Sequence, residues 1–143
     1  MSAYFDSAYV AKCYVNEVDS ARVRALLKTS GGAHSSSLSR AELAATLLRH
    51  VREGSLNRTQ SRRLQSDFAA DAESGIWTMV PVSDALMSRV AVRIAQLSPS
   101  VYVRAGDAVH LCAASEAGFA EIWTNDRHML AAAGAFGLRG RSV

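Results

Sequence analysis

The sequence predicts an α/β domain of three layers, with helices on both faces of a central, mostly parallel sheet of about four to five strands. Three observations lead there. Short apolar or β-forming runs alternate along the chain with longer segments of helical periodicity, the pattern of strands joined by helical crossovers. The 143 residues, 49% hydrophobic, show one composition regime and suffice for one core without disulfides or structural metals, so residues 1–143 are read as one domain. Acidic residues recur where the chain changes from strand to helix.

Ala3 to Phe5 reads as a short buried strand, followed by helical character from Ser7 to Val15. Asp19 to Leu27 forms a second amphipathic helix with Val23, Leu26 and Leu27 on one side. After the turn Ser30-Gly31-Gly32, Ala33 to Ser36 is a small strand. Ser39 is a cap for the next helix, with Glu42 as its capping-box partner and Leu43, Leu47, Leu48 and Val51 turned to a core. Gly54 to Asn57 breaks the pattern, and Thr59 caps a helix running to about Ala72. Ile76 to Val82 alternates as a third strand with Pro81 near its end. Ser83 or Asp84 starts a helix with Leu86, Val90, Ile94 and Leu97 on one stripe, closed by Ser98-Pro99-Ser100. Gly106-Asp107 opens another, carrying Ala108, Leu111, Cys112 and Ser115. Glu121 to Thr124 is a strand, Asp126 to Ala133 a short helix, and Phe136 to Arg139 a last strand.

Composition narrows the function classes. No run of about 18 apolar residues occurs, which argues against a membrane span, and the first residues lack the basic and apolar regions of a secretory signal. Cys13 and Cys112 fall in apolar helical patterns and are read as reduced core residues of a cytoplasmic protein. The net charge of +3 comes from an Arg-rich set with only Lys12 and Lys28 beside it, a modest indication of phosphate partners. Arg40, Arg49, Arg52, Arg58, Arg62 and Arg63 concentrate in the second quarter. They are either the wet face of two helices or, with Arg104 and Arg127 near the acids, a grip on nucleic-acid phosphates.

Asp6, Asp107 and Asp126 each follow a short apolar or small-residue run and open or border a helix, and Glu42 lies early in the segment Leu38 to Val51. In an α/β domain, the ends of parallel strands gather with the starts of the following helices at one sheet edge. Carboxylates from such positions converge there and repel one another unless cations or protons neutralise them. Mg²⁺, with Mn²⁺ as a substitute, is the natural occupant of such an oxygen-rich site, which makes metal-dependent phosphoryl transfer the leading chemistry. Taken singly, Asp6, Asp107 and Asp126 could each be helix caps. Asp107-x-x-His110 lacks the second copy a di-iron site needs, and His110 reads as a satisfied helix residue. No Gly-x-Ser-x-Gly, P-loop or Gly-x-Gly-x-x-Gly occurs, so serine hydrolysis, nucleotide hydrolysis and dinucleotide binding lack support.

The ordered set Tyr4-Phe5-Asp6-Ser7-Ala8-Tyr9-Val10-Ala11-Lys12, Ser37-Leu38-Ser39-Arg40-Ala41-Glu42-Leu43, Gly106-Asp107-Ala108-Val109-His110-Leu111 and Trp123-Thr124-Asn125-Asp126 resembles a PIN domain, most closely the VapC-type toxins of bacterial toxin–antitoxin pairs. The resemblance implies a PIN-like fold, divalent-metal-dependent RNA cleavage, a homodimer and neutralisation by a cognate antitoxin. It is carried by the order and spacing of these segments, and residues 54–100 add only compatible lengths. On this reading Asp6 and Asp107 bind Mg²⁺ directly. Glu42 and Asp126 hold it through water or complete a second site, and Ser7 and Thr124 orient the ligands, Thr124 being also a candidate for the last metal-site position. Leu48, Val51, Leu56 and Leu64 are candidates to receive an antitoxin helix. Two other classes stand beside the nuclease. One is a catalytically silent RNA- or protein-binding module of the same fold. The other is a phosphatase or phospho-acceptor using Asp6, disfavoured because Ala8 replaces the second acid of Asp-x-Asp.

Overall fold

The computed structural model describes residues 1–143. The chain runs β1 (Ser2–Tyr4), α1 (Ser7–Tyr14), α2 (Ser20–Thr29), β2 (Gly32–Ser36), α3 (Leu38–Arg52), α4 (Arg58–Glu73), β3 (Trp77–Val80), α5 (Asp84–Ala95), α6 (Ala105–Glu116), β4 (Glu121–Trp123), α7 (Arg127–Ala132) and β5 (Arg139–Arg141). A 3-10 turn, Ala133–Phe136, joins the last two. β1 pairs with β2, β2 with β3, and β4 with β5, all in parallel. A parallel bridge between Phe5 and Trp123, with Asp6 N–H donating to the Trp123 carbonyl at 3.1 Å, joins the two groups. The five strands therefore lie in the order β3-β2-β1-β4-β5, within the expected number and with every pairing parallel.

Alternation along the strands divides the core. Ala3 and Phe5 face one way with Tyr9, Val10, Val23, Leu43, Leu47, Phe68 and Trp77 of the α1–α4 side. Tyr4 faces the other, with Leu86, Val90, Leu111, Ile122, Met129 and Phe136 of the α5–α7 side. This is the period of two acting on a sheet covered on both faces, and it yields the three predicted layers. From β1 the chain winds outward through β2 to β3, then returns to place β4 on the other side of β1. The order reverses between β1 and β4, and at such a point the carboxyl ends of neighbouring strands open a crevice.

Several local expectations are corrected. Helix α3 begins two residues earlier than a Ser39 cap requires: Ser37 is the N-cap, and Ser39 lies inside the helix with its hydroxyl on Ser35 and Ser7. Glu42 is therefore no capping-box partner, and its carboxylate turns to Ser7 and His110. The cap of α4 is Asn57 rather than Thr59, closed reciprocally by Gln60. The last strand is displaced to Arg139–Arg141 because 133–136 coil into the 3-10 turn, buried through Ala133 and Phe136 and ended by Gly137 at φ 74°. Cys13 and Cys112 are free, as expected; burial pushes the Cys13 thiol up to about 12 and the Cys112 thiol upward, so neither is a ready nucleophile. No helix is long and apolar enough to cross a membrane.

One glycine fixes how α7 lies on β5. A Cβ at Gly140 would stand 2.8 Å from Leu130 Cδ2 and 3.0 Å from Leu130 Cα. Gly140→Ala must push the helix away, and the expected cost is about 1–3 kcal/mol, as for other overpacked contacts. Urea unfolding checks this; an unchanged midpoint would show that the helix yields freely.

Candidate active site at the carboxylate edge

Asp6, Asp107 and Asp126 are placed by local rules at strand–helix junctions, and Glu42 by partners distant in sequence. Asp6 follows β1 and caps α1, accepting from Tyr9 N–H at 2.9 Å. Its other oxygen accepts from the Thr124 hydroxyl at 2.5 Å. Thr124 itself follows β4, the strand across the switch point, and takes Asp126 N–H at 2.9 Å. Asp126 caps α7 through His128 N–H and Met129 N–H at 2.7 and 3.1 Å. Asp107 sits in the first turn of α6, where the helix dipole favours a negative charge. Glu42 reaches across from α3: Ser7 Oγ donates to its Oε1 at 2.6 Å, and His110 Nε2 lies 2.9 Å from the same oxygen.

Electrostatics differ across the group. Asp6 is 4% exposed, and burial pushes its carboxyl up against the hydrogen bonds from Thr124 and Tyr9. Burial also acts against charge at Glu42, but hydrogen bonds from His110 and Ser7 prevail and hold it below the usual carboxylate range. Asp107 and Asp126 share a cation: Arg104 Nε lies 3.2 Å from Asp107 Oδ2, and its Nη2 lies 3.1 Å from Asp126 Oδ2. The acids thus form two connected pairs of contacts. Thr124 links Asp6 to the Asp126 turn, and Arg104 links Asp126 to Asp107. No three His, Cys, Asp or Glu side chains stand together as a ready-made metal cage.

Ser7 and Thr124, expected to orient the acids, do touch them directly. Arg104, expected near the acids as a phosphate contact, instead bridges two of them. The six arginines of the second quarter are all exposed. Arg49 pairs with Glu17 at 3.0 Å, and Arg40 lies 6.0 Å above the Phe68 ring. His110 is satisfied, as expected, but its partner is Glu42, which makes it part of the site rather than of the helix alone. Its buried position and the pairing with Tyr4 carry no sequence signal beyond the Asp107-x-x-His110 spacing. Cavities of about 350 and 410 Å³ lie elsewhere, one lined by Tyr14, His50, Gln60 and Arg63, the other by Lys28, Gly32 and Ile76. The carboxylates occupy an open edge instead, with the Glu42, Asp126 and Asp107 side chains 40%, 27% and 18% exposed.

Five parallel strands between helical layers, with acids from four segments drawn to the switch point, define an α/β/α domain with a carboxylate site. The PIN domain family model matches residues 3–135. The chain belongs to that family. Among solved structures, VapC20 of Mycobacterium tuberculosis, a sarcin-ricin loop cleaving toxin, is similar with a TM-score of 0.72 at 14% identity, covering 91% of this chain and 94% of its own. That likeness is one of fold. No curated protein matches the sequence.

Proposed function

We propose that this chain is a metal-dependent endoribonuclease, the toxin of a toxin–antitoxin pair, with Asp6, Glu42, Asp107 and Asp126 as its metal-holding acids. The observation that carries the reading is the linked set of contacts that ties these acids to the β1/β4 edge: Asp6 through Thr124 to the Asp126 turn, Asp126 through Arg104 to Asp107, and Glu42 through Ser7 to the start of α1. Family membership and the fold shared with a ribonuclease toxin support the same class.

The donor set fits a hard divalent cation. It is all oxygen, and it leaves negative charge that the structure balances with one exposed guanidinium, Arg104, 63% exposed at its side chain and able to swing away. Asp6 and Asp107 would hold Mg²⁺ most directly, with Glu42 and Asp126 contacting its waters or a second ion; Mn²⁺ suits the same donors. Held by these residues, such an ion would supply acidification of water and charge relief on the departing oxygen. The chain's own groups prepare the site. Thr124 and Tyr9 N–H fix both oxygens of Asp6, and Ser7 fixes one oxygen of Glu42. Arg104, once released from Asp107 and Asp126, is placed to meet an RNA phosphate, with Arg127 at the start of α7, next to Asp126, as a second cation. An open edge suits a polymer better than a small molecule, which an enclosed pocket would hold.

Partner binding belongs to the same proposal. Leu48, 51% exposed, lines a shallow cavity of about 180 Å³ with Val51, Arg58 and Arg62 on the α3–α4 hairpin, a fit for an amphipathic antitoxin segment. Homodimerisation and action in the cytoplasm complete it.

The test is incubation of total cellular RNA with purified, antitoxin-free protein in Mg²⁺ or EDTA. Discrete fragments in Mg²⁺ alone are expected, and the sarcin–ricin loop cleaved by VapC20 is the first place to map cuts. Intact RNA in every lane, with folding and metal occupancy verified, would instead favour a silent binding module. The missing ready-made cage is the observation on that side.

A further inference from the structure

Behind Glu42 runs a line of polar side chains from three elements. Tyr4 of β1 is fully buried, and its hydroxyl lies 2.9 Å from Nδ1 of His110, itself 2% exposed, on α6. The opposite nitrogen, Nε2, lies 2.9 Å from Glu42 Oε1 and 2.7 Å from Ser7 Oγ. Ser7 Oγ in turn donates to that same Glu42 oxygen at 2.6 Å. Ser36 Oγ stands farther off, 3.4 Å from Nδ1.

The hydrogen-bond pattern places a proton on Nε2. Glu42 Oε1 is a carboxylate oxygen and can only accept, so the ring nitrogen 2.9 Å from it, Nε2, carries a proton. That proton is shared between Glu42 Oε1 and Ser7 Oγ, while Nδ1 on the far side of the ring faces the Tyr4 hydroxyl. Two donors thus converge on one oxygen of Glu42. The other, Oε2, faces the start of α6: a Cβ built on Gly106, next to Asp107, would stand 3.8 Å from it.

The geometry points to His110 as a positioning residue: oriented by Tyr4 and seconded by Ser7, it pins Glu42 Oε1 so that Oε2 is presented beside Asp107. The inference rests on the nuclease reading and adds to it the device that aims one of its acids. A histidine kept only for packing would fill the same space whichever nitrogen faced Glu42. A positioning histidine needs a donor at Nε2, and partners of this kind govern the affinity of a metal site by 10–100-fold, about the effect expected here.

Two variants of similar polarity separate these roles. A glutamine amide reaches as far as imidazole Nε2, whereas an asparagine amide reaches only to the Nδ1 position. Mn²⁺ titration calorimetry without RNA, beside kcat and KM on an RNA substrate, is the experiment. His110→Asn is expected to weaken Mn²⁺ binding about 10–100-fold and to lower kcat with KM for RNA unchanged. His110→Gln is expected to recover most of the affinity. Tyr4→Phe, which keeps the ring against Phe119 at 5.7 Å between centroids, is expected to fall between them. Wild-type Mn²⁺ affinity in His110→Asn overturns the inference, as does equal loss in the Asn and Gln variants with equally lowered melting. If His110→Asn fails to fold, Tyr4→Phe decides: unchanged Mn²⁺ affinity in that variant overturns the inference. A wild type that cleaves RNA and binds Mn²⁺ leaves the nuclease reading standing in each of these cases. A wild type that does neither overturns both.

Discussion

Asp6→Asn is expected to lower RNA cleavage by about 10³-fold while leaving the domain at least as stable as the wild type. The size follows from the proposed role: an ion held by the acids would contribute several kcal/mol to the transition state, and each 1.36 kcal/mol is tenfold in rate. The stability follows from burial. Asp6 is buried as a carboxyl whose charge is opposed by its surroundings, so the neutral amide removes a burial penalty. The substitution keeps what the fold needs. Asparagine is as good an N-cap as aspartate, so its Oδ1 can still accept from Tyr9 N–H. Its amide can donate to Thr124 Oγ1, which then turns its hydrogen away from residue 6, towards Met129 Sδ at 3.9 Å. Turnover on a defined RNA and thermal melting check the two halves together. Cleavage at the wild-type rate removes Asp6 from the metal-holding set. A large drop in melting temperature would show that its carboxylate serves the fold first.

The sheet was readable because its signals are local. Ala3 to Phe5, Ala33 to Ser36 and Glu121 to Thr124 are short runs bounded by turns or caps, and each came out as a strand within a residue or two of its predicted span. The convergence of Asp6 with the Thr124-Asn125-Asp126 segment was also legible, since strand-to-helix junctions of a parallel sheet share an edge. Other features depended on distance. Ser39 and Glu42 have the spacing of a capping box. What overrode it was the set of partners waiting in space: Ser35 and Ser7 for the hydroxyl, Ser7 and His110 for the carboxylate. Those partners lie as much as 68 positions away, beyond any local pattern. The last strand was misplaced for a similar reason. Phe136 carries the apolar signal, but it is spent on the core from a 3-10 turn, leaving polar Arg139–Arg141 to pair with β4 as a sheet edge. Its charges are answered by Glu121, which Arg139 and Arg141 reach at 2.6 and 2.9 Å.

Asp107→Asn is expected to lose cleavage on the same scale as Asp6→Asn, about 10²–10³-fold, but to differ from it in the sign of its effect on stability. Asp107 is not a buried charge in need of relief. It lies in the first turn of α6, where a negative charge is favoured by about 0.3–1 kcal/mol, and it carries half of the Arg104 bridge. That bridge is largely exposed and screened by solvent, so losing its Asp107 arm costs little. A slightly lowered unfolding free energy for Asp107→Asn, beside an unchanged or raised one for Asp6→Asn, is therefore the expected pair. The pairing matters because repulsion among the acids alone would make both substitutions stabilising. If both raise the melting temperature, Arg104 is not neutralising Asp107 in solution and the bridge is not the resting state of the site. If Asp107→Asn alone retains wild-type cleavage, the metal is held without α6, and the Gly106-Asp107 turn serves the helix rather than the reaction. Loss of cleavage with the predicted opposite signs would place Asp6 and Asp107 in one catalytic set, built from one acid strained by burial and one held in check by an arginine.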